Sequence, residues 1–167
     1  MIETEHLIII PLTHSQLIKY ANLDGSLEAE LNLNRSTRTI SAELKEALEQ
    51  TILPNVADAT KNYLFSTLWT VILKTKNQMV GDLCFCGEPN SNGEIEIGYG
   101  TYVEFGKRGF MKEAVRRMIQ WAEKQPNVKS VIASTEKSNI ASSSVLEKNN
   151  FIKVGETDTM FNWCLIF

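Results

Sequence analysis

Between Gly93 and Ala122 the chain changes its hydrophobic period once, and a turn with two glycines and two cations marks the change. Gly93-Glu-Ile-Glu-Ile-Gly-Tyr-Gly-Thr-Tyr102 alternates polar and apolar residues, as a strand with one covered face must. Phe110, Met111, Ala114, Val115, Met118, Ile119 and Ala122 then recur at helical spacing, a stripe suited to packing on a sheet. Gly106-Lys107-Arg108-Gly109 joins the two. A strand, a basic glycine-bearing turn and a helix start together make an anion site. The first amides of a helix have no partners within it, and the helix dipole adds partial positive charge there. A pyrophosphate is the usual guest of such a turn.

Two nucleotide-binding patterns fail on this stretch. No GxxxxGK[ST] run is present. Gly98-Tyr-Gly100 begins a dinucleotide fingerprint, but Val103 stands where its third glycine is required.

The flanking chain predicts an α/β protein. Leu7 to Leu12 reads as a first strand, with Pro11 at its end or on an edge, and His6 as a strand-end residue. Thr13 can cap a helix over about 15–23, which Asp24-Gly25 stops. Residues 26–65 read as mostly helical, with Leu27, Leu31 and Leu33 in one cluster, Leu44, Ala47, Leu48 and Ile52 in another, and Pro54 as an interruption. Residues 68–74 and 79–86 form a hairpin, with Cys84 and Cys86 on one face as buried strand cysteines. Residues 87–93 are a loop by composition. A strand over 128–135 follows the helix, and the strand–helix–strand crossover implies a parallel pair. Ser138 or Asn139 caps a short helix with Lys148 in its last turn, and Asn150 falls where a left-handed residue is wanted. Two strands, at about 151–157 and 159–166, complete the chain.

Composition narrows the function classes. A length of 167 residues suits one domain, 1–167, with a real core. No apolar run is long enough for a membrane span, and the first residues lack the pattern of a signal peptide. Three cysteines argue against a disulfide framework and fit a reducing, cytoplasmic location. A net charge of −3 gives no support to nucleic-acid binding. Cys84 and Cys86 lack two further ligands at metal-site spacing, so no metal is expected.

The motifs resemble one family. Gly106-Lys107-Arg108-Gly109-Phe110-Met111 resembles the [QR]-x-x-G-x-[GA] pyrophosphate loop of the GNAT acetyltransferases, with Gly106 and Met111 as departures. Asn139-x-Ala141-Ser142-x-x-Val145-Leu146-Glu147-Lys148-x-x-Phe151 is similar to the family's second signature, Asn150 replacing glycine. Glu96-Ile-Gly-Tyr99, Glu113-Ala114, Trp121-Ala122 and Thr4-Glu5-His6-Leu7 resemble the branch that includes the RimJ/RimL ribosomal-protein N-terminal acetyltransferases. The resemblance implies a mixed, mostly antiparallel sheet of about seven strands with about four helices, splayed at the acyl-CoA site.

It implies direct transfer of an acetyl group from acetyl-CoA to a small-molecule or peptide N-terminal amine. Amides of residues 106–111, with Lys107 and Arg108, would hold the pyrophosphate. The edge of the strand through Tyr99 and Thr101 would pair with the pantetheine arm, which Asn139 would also bond. Gly98 and Gly100 would allow close approach or a bulge. Glu94 or Glu96 would take the ammonium proton, and Ser142 would protonate the leaving thiolate. No tyrosine follows Tyr102 to serve as that acid. An acyl-CoA sensor or scaffold of the same fold is the alternative, and Met111 bears on it: turned into the core it leaves the loop open, turned outward it obstructs the phosphates. Residues 13–65 and the loop 87–93 would shape the acceptor pocket. A monomer or homodimer is allowed, the last strand offering an edge.

Overall fold

A computed structural model describes residues 1–167. Its centre is an eight-stranded sheet ordered β1-β2-β3-β4-β5-β6-β8-β7. The strands are β1 (Ile2–Glu3), β2 (Leu7–Pro11), β3 (Leu68–Leu73), β4 (Gln78–Phe85), β5 (Glu94–Thr101), β6 (Ser130–Glu136), β7 (Ile152–Glu156) and β8 (Met160–Ile166). All pairs are antiparallel except β5 with β6. The added strand, β1, is two residues long, too short to leave a periodic signal.

Six α-helices flank the sheet: α1 (His14–Asn22), α2 (Ser26–Glu30), α3 (Ala42–Ala47), α4 (Leu53–Ala57), α5 (Phe110–Glu123) and α6 (Ile140–Glu147). Helix α5 buries Met111, Ala114, Val115, Met118 and Ala122, the stripe expected from its spacing. It covers one sheet face, in a core with Ile9, Val71, Val80, Phe85, Ile95, Ile97 and Val131. Trp69 and Trp121 meet there, ring centroids 5.3 Å apart. The opposite face carries a smaller core of α1, α2 and the 42–57 helices, built on Leu17, Tyr20, Leu27, Leu48 and Ile52 against Leu68, Ile72 and Met79.

Local chemistry explains the elements that departed from expectation. Residues 31–41 are not helical: Asn34 bridges to Gln78, and side chains of Asn34, Asn77 and Gln78 bond carbonyls across the gap at 2.7–2.8 Å. Those bonds satisfy the segment's polar groups without a helix. Pro54 does not end its helix either. A π-turn over Leu48–Ile52 immediately precedes α4, and its wider ring relieves the clash a proline imposes on the preceding turn. Cys86 is exposed and Cys84 only half-buried, correcting the expectation of two buried thiols. The helical layer on their face reaches Cys84 and stops there. Thr13 caps α1 as expected, in a capping box completed by Gln16, and Asn150 takes the expected left-handed conformation, φ 65°.

Candidate active site

The sheet opens between its two parallel strands. β5 and β6 pair only from Glu94–Glu96 to Ser130–Ile132. Beyond that point β5 stays with β4 as far as Thr101, and β6 stays with β8 as far as Glu136. Each follows its antiparallel neighbour, so the inner edges of Ile97–Thr101 and Ala133–Glu136 part. A cleft of about 600 Å³ fills the gap, lined by Tyr99, Thr101, the turn from Gly106 to Met111, and Asn139, Ser142 and Lys148 of the α6 segment.

The floor of one end of the cleft is the start of α5. Gly109 is its N-cap at φ 83°, and no side chain caps the helix, so its first amides are left for a ligand. A Cβ at Gly109 would meet nothing within 4 Å. The glycine therefore answers the backbone's left-handed turn rather than crowding. Lys107 is also left-handed, φ 62°, and with Arg108 it is exposed beside the amides. The Arg108 guanidinium lies 5.7 Å from the centroid of buried Phe105. Met111 turns inward: it is buried, and its Cε lies against Gly81. The large residue in the glycine position of the loop motif therefore leaves the turn clear.

The opposite wall is α6. Asn139 is its N-cap, its side-chain oxygen accepting from the Ser142 amide at 3.1 Å. That leaves the Asn139 amide nitrogen free to donate into the cleft. The Tyr99 hydroxyl spans the gap and donates to the Ser142 carbonyl at 2.9 Å. Burial pushes the Tyr99 phenol upward, so it stays protonated and its proton is committed to that bond. The Ser142 hydroxyl carries no such bond. Asn149, which carries no role in the sequence reading, fixes the distance between the walls. Its buried amide donates to the Lys112 carbonyl on α5 at 3.2 Å and to the Val145 carbonyl on α6 at 2.9 Å.

On the other sheet face Glu94, Glu96, Gly98 and Gly100 follow one another along β5, since alternate residues share a face. Glu94 is half-buried and accepts from the Asn90 side chain at 2.9 Å; Glu96 is exposed. A Cβ at Gly100 would meet nothing within 4 Å, and one at Gly98 would meet only Cys84 Sγ at 3.6 Å. The register of β4 and β5 is continuous through both, with no bulge, so the two glycines leave a shallow bare strip.

Beside that strip sits a carboxyl absent from the sequence reading. Asp82 pairs with Gly100 across the β4–β5 ladder and is buried. Its Oδ2 accepts from Tyr20 at 2.7 Å and from Tyr102 at 2.8 Å. Burial raises the Asp82 carboxyl, and the bonds from the two tyrosines only partly offset this. Nothing local in sequence announces the group, because Tyr20 lies 62 residues away and Tyr102 lies 20.

A mostly antiparallel sheet, parted between two parallel strands above an uncapped basic helix start, defines the GNAT class of fold. The family profile of the acetyltransferase (GNAT) domain matches residues 6–152, and the chain belongs to that family. It is 32% identical over 98 residues to an uncharacterized N-acetyltransferase, YjdG, of Bacillus subtilis. It is 29% identical over 87 residues to an uncharacterized N-acetyltransferase, p20, of Bacillus licheniformis. These matches cover 59% and 52% of this chain, and 58% and 49% of the relatives, so the chain spans about half the length of the curated relatives it matches. Among solved structures, the ribosomal-protein-S5-alanine acetyltransferase of Vibrio fischeri superposes with a TM-score of 0.72 at 20% identity, over 99% of this chain and 95% of that one. RimL, a ribosomal L7/L12 alpha-N-protein acetyltransferase solved with coenzyme A, gives 0.68 at 16% identity, over 98% and 96%. No helix is long and apolar enough to cross a membrane.

Proposed function

We propose that the chain is an N-acetyltransferase that moves an acetyl group from acetyl-CoA to a primary amine by direct attack. The observation that carries this reading is the parting of β5 and β6 over the uncapped start of α5, with Lys107 and Arg108 beside it. The free amides of the first turn of α5 and the two cations suit a pyrophosphate. The open edge of β5 at Tyr99 and Thr101 suits the amides of a pantetheine arm, and the free nitrogen of Asn139 faces the same cleft.

In this mechanism the amine nitrogen forms a bond to the thioester carbonyl carbon, and the carbon–sulfur bond then breaks. Glu96, or water held by it, takes the ammonium proton; Glu94 lies one step further along the same face. The Ser142 hydroxyl donates a proton to the departing thiolate. The acceptor enters on the face of Glu96 and the glycine strip. The solved structures named above are a ribosomal-protein-S5-alanine acetyltransferase and a ribosomal L7/L12 alpha-N-protein acetyltransferase, which supports a peptide N-terminal amine in a RimJ/RimL-like role beside a small-molecule amine.

Calorimetric titration with acetyl-CoA, ATP and NAD tests the reading. Saturable binding of acetyl-CoA alone, lost in Gly109→Glu, is the expected result, with acetyl transfer abolished in Glu96→Gln while affinity is retained. A wild type that binds acetyl-CoA but transfers nothing to a panel of polyamines, aminoglycosides and N-terminal peptides would instead assign a sensor. No binding of acetyl-CoA would sink both readings.

A further inference from the structure

The three cysteines of the chain all lie on the sheet face of Glu96 and the glycine strip. Residues paired across neighbouring strands share a face. Cys84 pairs with Gly98, and Cys164 pairs with Ile132, which in turn pairs with Glu96. Cys86 stands one step beyond the end of β4. Its amide donates to the Glu96 carbonyl at 2.9 Å, so its side chain stands beside Glu96. No cysteine takes part in the mechanism proposed above.

Cys84 and Cys86 are two residues apart on one face, and their thiols interact directly. They differ as an attacking and a resolving thiol differ. Cys86 is exposed, and the bond from the Cys84 thiol holds its thiol below the ordinary range, against the partial burial and the Glu96 charge that would raise it. Cys84 is half-buried, and the same bond, with burial, pushes its thiol well up. Thiolate character and access to solvent decide which sulfur is oxidised first, and both favour Cys86. Cys164 stands apart from the pair, and burial and the Glu94 charge raise its thiol.

Closing the pair needs a small movement. Residues two apart on an extended strand lie about 6.6–6.8 Å from each other, at the upper limit of about 6.8 Å that a disulfide spans. β4 ends at Phe85, and Gly87 follows Cys86 at φ 126° with nothing within 4 Å of its Cβ position, so the strand end has room to draw in. The Cys84 sulfur already borders the glycine strip, 3.6 Å from the place of a Cβ at Gly98.

We propose that Cys86 is a site of oxidation by hydrogen peroxide, that Cys84 resolves it into a disulfide, and that this disulfide obstructs the acceptor strip. The Cys86 thiolate attacks a peroxide oxygen; the O–O bond breaks, hydroxide leaves and a sulfenic acid remains. The Cys84 sulfur then attacks the Cys86 sulfur; the S–S bond forms, the S–O bond breaks, and water leaves with the Cys84 proton. The two sulfurs together supply the two electrons that reduce the peroxide. The disulfide takes the Cys86 sulfur from beside Glu96 and brings it to the edge of the strip at Gly98. An exposed disulfide of this kind is open to reduction by thiols, so the change is reversible. The effect on transfer rests on the acetyltransferase reading above; the oxidation does not.

The test exposes reduced protein, freed of reductant, to hydrogen peroxide and reads its intact mass, with acetyl transfer measured on the same samples. Wild type and Cys164→Ser are expected to become two hydrogens lighter, and dithiothreitol to restore them. Cys84→Ser is expected instead to gain one oxygen, trapped at Cys86 by dimedone, and Cys86→Ser to stay unchanged at the same dose. The oxidised wild type is expected to lose about ten- to a hundredfold in kcat/KM for the amine, as misplaced reacting groups do, with its affinity for acetyl-CoA retained. Cys86→Ser is expected to keep its transfer through the same treatment. A wild type unchanged by peroxide, oxidation falling first on Cys164, or oxidation as fast in Cys86→Ser as in wild type would overturn the site. A disulfide-bearing wild type with undiminished transfer would overturn the obstruction. A reduced wild type that transfers to no amine would overturn the acetyltransferase reading and the obstruction with it, while the masses still decide the thiol assignment.

Discussion

Replacing Asp82 tests how its buried carboxyl is held. In Asp82→Leu, a change of similar volume, the hydroxyls of Tyr20 and Tyr102 lose the oxygen they share at 2.7 and 2.8 Å. A buried donor stripped of its acceptor costs about 1–3 kcal/mol. Tyr20 is buried and bears that cost in full; half-buried Tyr102 can turn partly to water and bears about half. The expected loss is about 2–4 kcal/mol, a large share of a typical domain's stability. Asp82→Asn keeps an acceptor oxygen for both tyrosines and removes the ionisable group. Burial raises the folded carboxyl above its ordinary value of 3.8, so the stability it contributes is complete below that value and declines as pH rises through the raised one. The Asn variant is therefore expected to gain on wild type as pH rises above that ordinary value towards the raised one. Urea unfolding of the three proteins across that range reads both effects, provided the slope with urea is unchanged. A wild type that gains on the Asn variant with rising pH would refute a destabilised buried carboxylate. A Leu variant as stable as the Asn variant would refute the tyrosine accounting.

Three further outcomes follow from the same packing. Arg38→Met strands the carboxylate of buried Glu28, which now pairs with Arg38 and accepts from Ser36 at 3.0 Å; an expected loss of about 3–5 kcal/mol in thermal melts should shrink in the Glu28→Leu/Arg38→Met double variant. In Gly81→Ala the new Cβ would lie 2.5 Å from the Gly100 carbonyl and 2.9 Å from Met111 Cε; a loss of about 1–3 kcal/mol with weakened acetyl-CoA binding is expected, and a melting temperature equal to wild type would refute the clash. Asn149→Ala removes the bonds to the Lys112 and Val145 carbonyls; the KM for acetyl-CoA is expected to rise with kcat nearly unchanged, and a fall in kcat alone would contradict a role in spacing the walls.

The basic turn and the uncapped start of α5 were legible in the sequence because their determinants are local. A glycine with positive φ, two adjacent cations and the stripe of α5 occupy consecutive residues, and Met111 falls in the stripe by its spacing. The α6 cap was legible for the same reason, Asn139 and Ser142 being one turn apart. Groups assembled from distant segments left no such pattern. Glu28 and Arg38 stand ten residues apart and carry no motif, yet they form a buried ion pair, with the Arg38 guanidinium 4.6 Å from the centroid of the Tyr20 ring. Sequence periodicity could not separate 31–41 from the helices around it, because the competing partner is the turn between β3 and β4.

The choice of base on the acceptor face turns on access to water rather than on distance along the strand. A base must release each captured proton to solvent before the next turnover, so it needs an open route to water. Asp82 lies beside the bare strip at Gly100, but Tyr20 and Tyr102 close over it and burial already favours its protonated form. Glu96 projects from the same face, exposed, two residues before Gly98. On the proposed mechanism the two carboxyls divide the work: Asp82 ties α1 to the end of β5 just before the 106–109 turn, and Glu96 is left free to exchange protons. Asp82→Asn is accordingly expected to retain acetyl transfer that Glu96→Gln loses, with a pH–rate profile of wild-type shape. Loss of transfer in Asp82→Asn at wild-type stability and acetyl-CoA affinity would move the base to Asp82.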